Sequence, residues 1–162
     1  MLKRQRRSQG FSLIELLIVV TIILIIAAIA IPKLLTVKQL ANATAAVSNL
    51  HTLNTALTAY ASEYPTIGYP TSLVDLDSTA GSTTAPTSTA AALLSEEWNS
   101  NTVTVQQYNY VYTPTAGPPS TIYNITAEPV TGAGTRDFYT DQSGEIRYAD
   151  GAAATATSPL IG

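Results

Sequence analysis

The sequence predicts an α+β fold: a long N-terminal α-helix, transmembrane in its first half and amphipathic in its second, packed on a small antiparallel β-sheet head. Three observations carry this expectation. Every residue from Phe11 to Ile31 is apolar except Ser12, Glu15 and Thr21. Apolar residues then recur at helical spacing as far as Tyr64. From Thr102 onward the chain becomes rich in Val, Tyr and Thr in near-alternation, interrupted by Gly, Pro and Asp turns.

The first segment is fixed by length. As a helix, the 21 residues Phe11–Ile31 extend about 31 Å, which matches the hydrocarbon core of a bilayer at about 30 Å. Lys3, Arg4, Arg6 and Arg7 precede it and favour a cytoplasmic N-terminus, with the downstream domain across the membrane. Beyond Gly10 only four basic residues face all 11 acids, a formal side-chain charge of −7. That argues against a nucleic-acid-binding surface, which needs clustered Lys and Arg. The chain has no cysteine, so disulfides, a thiol nucleophile and a Cys-ligated metal are excluded as well.

Two plain accounts fit an apolar run near an N-terminus. One is a secretory signal peptide cut after Ala30, in an exported binding module; the other is a simple single-pass anchor for such a module. Neither uses Glu15. An unpaired carboxylate in a spanning helix costs about 2.5–3.5 kcal/mol or more. The run is also longer than an ordinary signal core of about 7–15 residues.

The segment Gly10-Phe11-Ser12-Leu13-Ile14-Glu15-Leu16-Leu17-Ile18-Val19-Val20 resembles the type IV prepilin signature: a basic leader ending in Gly, a Phe, and a Glu four residues on. The resemblance implies that residues 1–10 are a leader, that prepilin peptidase cuts between Gly10 and Phe11, and that the new amine of Phe11 is methylated. It implies a pilin-like fold, with 11–31 as a transmembrane and polymerisation helix. It also implies a homo-oligomeric filament, an inner-membrane platform protein and an assembly ATPase as partners. The chain would sit in the inner membrane before assembly and in a pilus or pseudopilus, in the periplasm or at the cell surface, after it. Type IVa pilins usually carry a C-terminal cysteine pair, which is absent here, so a major pseudopilin of a type II secretion system stays open beside a pilus subunit.

On that reading Glu15 acquires a partner. Clipping creates an ammonium at Phe11, and residues four apart on a helix share a face. Across two subunits the same pair would set stagger, because a misdocked copy leaves both charges unpaired. The plainer account is an acid near the cytoplasmic headgroups. Gly10 would admit a protease close to the backbone. Pro32 either ends the helix at the membrane exit or, as the resemblance implies, kinks a longer one.

Residues 32–64 read as an amphipathic half-helix: Leu40, Val47, Leu50, Leu57, Tyr60 and Tyr64 on one face, Leu53 at its border, and Asn42, Ser48, Asn49, Thr52 and Thr55 opposite. Joined to the first half, it gives a rod of about 80 Å. The head spans 65–150, beginning with the loop after the helix. It holds helical candidates at Thr71–Leu76 and Thr89–Trp98, a mobile loop at Ser78–Thr89, and three to four strands. Those strands are Thr102–Thr113, Ser120–Ala127 with Ile122 and Ile125 as its apolar members, and a hairpin around Asp141–Gly144. Residues 151–162 read as a flexible tail.

No constellation suggests an enzyme or a cofactor. His51 is the single histidine and has no local triad or metal spacing around it. Asp141, Ser143 and Glu145, with Asp137 and Asp150 near, offer oxygens to a hard cation, but a solvated turn explains them as well. Asn42 and Asn124 open glycosylation sequons. The nine tyrosines read as packing residues of the strands.

Overall fold

A computed structural model describes residues 10–77 and 86–161. Residues 78–85 of the expected mobile loop, and the leader apart from Gly10, lie outside the described residues. The chain divides into two units, Met1–Val37 and Lys38–Gly162. One helix, α1 (Leu13–Glu63), belongs to both. It contains no glycine and ends where Tyr64-Pro65 stops helical geometry.

Within the second unit, α1 packs on a five-stranded antiparallel meander: β1 (Thr102–Val105), β2 (Tyr108–Pro114), β3 (Tyr123–Pro129), β4 (Arg136–Asp141) and β5 (Ile146–Asp150), in spatial order β1-β2-β3-β4-β5. The architecture is the α+β one expected. The core joins Leu50, Leu53, Leu57 and Tyr60 of α1 to Tyr108, Tyr110, Tyr112, Tyr123, Ile125 and Phe138 of the sheet. Each buried tyrosine finds a polar partner, as its hydroxyl requires: Tyr60 donates to Ser88 O at 2.6 Å, Tyr112 to Pro70 O at 2.7 Å, and Tyr108 to Arg136 O at 2.9 Å. Burial pushes the Tyr108 and Tyr110 hydroxyls up to about 12, and raises Tyr112 and Tyr123 as well.

Several local expectations are corrected. Thr102–Thr113 is not one strand but a tight hairpin, because Gln106 and Gln107 take positive φ (47° and 71°) between Val105 and its partner Tyr108. Ile122 is exposed; Tyr123, Ile125 and Ala127 are the inward residues of β3, as strict alternation requires. The two helical candidates shrink to 3-10 turns, Leu73–Leu76 and Glu96–Trp98. Ala91–Leu94 instead donates backbone hydrogen bonds to Asp75, Leu76 and Asp77. Before the first of these turns, Gly68 (φ +75°) lies so close to Ser120 that a Cβ there would sit 2.1 Å from the Ser120 carbonyl oxygen. Residues 151–161 do not trail away. Tyr148 N donates to Pro159 O and Ile161 N to Ile146 O, each at 3.0 Å, while Arg147 Nη1 holds Ser158 O.

On α1, Leu40 is exposed, Leu53 is central to the core, and Asn54 is a buried polar residue. Its Nδ2 donates to Thr140 Oγ1 at 2.8 Å and to Gly144 O at 3.3 Å, and its Oδ1 accepts from the Tyr123 hydroxyl at 2.9 Å. One amide thereby ties the helix to β3, to β4 and to the β4–β5 turn. Asn54→Ala should strand two buried hydroxyls and cost about 2–3 kcal/mol. The check is the unfolding midpoint of the full chain in detergent. An unchanged midpoint would mean that the amide does not brace the head.

Candidate assembly site at the N-terminal helix

Gly10, Phe11 and Ser12 precede α1. The Ser12 backbone N–H donates to Glu15 Oε2 at 2.9 Å, the reach-back half of a capping box. A carboxylate in the first turn also faces the positive end of the helix dipole. Glu15 thus has a partner before any clipping, which the Ser12-Leu13-Ile14-Glu15 spacing could have indicated. Its Oε1 has no hydrogen-bond partner among the described residues. In the unclipped chain the helix begins at Leu13, two residues after Phe11.

Phe11 and the large apolar side chains of α1 as far as Ile31 are bare. An 18-residue window reaches a mean hydropathy of 3.2 with none of it buried, and it is long and apolar enough to cross a membrane. Phe11 is 88% exposed. The polar hydroxyl inside the run is satisfied locally, Thr21 Oγ1 donating to Leu17 O at 2.7 Å. Α1 continues through Pro32, so the helix-terminus alternative falls. Proline has no N–H to donate, so the Ala28 carbonyl loses its usual intrahelical donor. Thr36 Oγ1 donates back to Pro32 O at 3.2 Å. A signal-peptide cut after Ala30 would divide α1.

Residues 5–31 match the family model described as the prokaryotic N-terminal methylation motif. The chain carries the type IV pilin and pseudopilin signature. That signature supports a pilin-like or pseudopilin substrate of prepilin peptidase, and the apolar helix is consistent with membrane anchoring. The match covers the leader and the apolar run, and the head lies beyond it. Comparison with curated proteins and with solved structures gave no match.

The other candidates are dispersed. His51 is exposed on α1, beside a shallow depression also lined by Thr55, Thr58 and Gly144. The acidic hairpin is occupied with its own contacts: Asp141 Oδ1 accepts from Ser143 N, Glu145 pairs with Arg147 at 2.6 Å, and Asp150 pairs with Arg136 at 2.9 Å. Burial, then the charge of Glu128, raises the Asp137 carboxyl. Among the described residues no group of three or more His, Asp or Glu is placed to hold a metal ion. Asn42 spends its amide on Ala133 O at 2.9 Å, and Asn124 lies within the sheet opposite Thr113 and Asp141.

A Cβ at Gly10 would meet nothing within 4 Å. Among the described residues, the fold therefore places no demand for glycine there. Gly10→Val should leave folding intact and block leader removal, seen as unprocessed precursor on a gel. A processed band of normal intensity would contradict it.

Proposed function

We propose that the protein is a structural, non-catalytic subunit of a type IV pilus-like filament. Prepilin peptidase releases it by cutting between Gly10 and Phe11 and methylates Phe11. It then polymerises from the inner membrane through residues 11–31, driven by a platform protein and an assembly ATPase. One observation carries this reading: a carboxylate, Glu15, sits five residues past the glycine of the leader and four past Phe11, in an exposed and otherwise almost wholly apolar run.

The chemistry follows from charge. Clipping turns the Phe11 amide into a cation, and methylation keeps that charge. In the precursor Glu15 is held by the Ser12 N–H through one oxygen. In a filament core it needs a full counter-charge, and the Phe11 ammonium of a neighbouring copy supplies one. A misdocked copy strands both groups at about 3 kcal/mol or more, which is about 100-fold against wrong register. Pro32 lets the helix bend or loosen as the subunit leaves the bilayer. The absence of cysteine supports a second reading, a major pseudopilin of a type II secretion system.

Glu15→Ala should be clipped like the parent yet yield few or misregistered filaments, at least tenfold fewer by electron microscopy of sheared material. Fibres of normal number and form from that variant would remove the role given to Glu15.

A further inference from the structure

Within the second unit, a groove of ≈ 360 Å³ opens between α1 and the β4–β5 edge. Its lining is mostly apolar: Leu40, Ala43 and Val47 from α1, Phe138 from β4, Tyr148 from β5, and Ile161, with Thr44 beside them. Leu40 is 64% exposed and Ile161 36% exposed, so the groove has large uncovered apolar side chains. Arg136 also lines it, but its guanidinium is neutralised by Asp150 at 2.9 Å and lies 4.5 Å over the Tyr148 ring. The groove therefore offers hydrocarbon and little net charge.

Three occupants are conceivable, and length and charge separate them. Leu40 lies nine residues beyond Ile31, and Phe11–Ile31 alone already fills a hydrocarbon core of about 30 Å. Lipid tails do not reach it. A second head is repelled: residues 38–162 carry three basic and ten acidic side chains, a formal charge of −7. Residues 11–37 carry Lys33, Glu15 and, once clipped, the Phe11 amine, a net charge of +1 with an apolar surface. That segment is complementary to the acidic head in charge and to the groove in polarity, and Ala27, Ala28 and Ala30 let a helix approach closely.

We infer that this groove seats the N-terminal apolar helix of a second copy, an inference that rests on the filament reading above. Head-to-helix docking would then add to helix-to-helix packing, and Leu40 and Ile161 would be covered only on assembly.

The test uses the full chain in cells carrying its assembly system, with a photo-crosslinking benzoylphenylalanine at Leu40. Filaments are confirmed by microscopy in the same sample. The expected product is a dimer whose adduct maps by mass spectrometry to residues 11–37 of another copy. Adducts on head residues, on lipid or on another protein, or filaments with no adduct, overturn the docking and leave the filament reading standing. Failure of the unsubstituted chain to form filaments overturns both. As a second arm, Thr44→Trp, at an exposed position lining the groove, should cut filament yield at least tenfold with clipping and unfolding midpoint unchanged. Parental yield from that variant also overturns the docking.

Discussion

Fourteen large apolar side chains between Leu13 and Ile31 stand exposed on one helix, with Phe11 exposed just before it, and everything else about the molecule answers to that. Covering them is worth on the order of 30 kcal/mol at about 2 kcal/mol each. A domain of this size is itself stable by only about 5–15 kcal/mol. Cover for the helix thus outweighs the folding of the head. On the proposed reading the covering medium is lipid first and protein afterwards, and the passage between them keeps the helix out of water.

Glu15 introduces selectivity into an otherwise undirected attraction. Hydrocarbon packs on hydrocarbon in many registers at similar energy, whereas a buried charge tolerates few. In the precursor the acid is quieted by the Ser12 N–H, a bond that also starts the helix. On the proposed reading, clipping adds a stronger partner one residue before Ser12, at Phe11. The same carboxylate can thus help form α1 before processing and align subunits after it. The head, braced by Asn54 and by the returning C-terminal segment, is net acidic, which on the proposed docking favours contact with helices over contact between heads.

Long-period features were legible in the sequence. The apolar run, the helix end at Tyr64-Pro65 and the Asp141–Gly144 turn follow from residue type alone, and the structure places them where expected. What was missed depended on tertiary context. Gln106-Gln107 makes a tight hairpin without the Asn or Gly such turns favour, and the only clue was a slip of phase from Val105 to Tyr108. Asn54 reads as polar surface until Tyr123 and Thr140 arrive from distant strands. Leu40 reads as core because its spacing is right, but the head does not cover it. The tail looked unstructured because its order comes from pairing with β5 rather than from local propensity. At the N-terminus, the motif was plain, while the capping contact of Glu15 became visible only with the backbone in place.

The central claim is a covalent one and can be weighed directly. Intact-mass and N-terminal analysis of the protein recovered from cells should show a chain that starts at Phe11 and carries one added methyl on its amine. A chain that starts at Ile31, or that keeps residues 1–10, would contradict the account, because Glu15 would then lack the charge it is meant to meet.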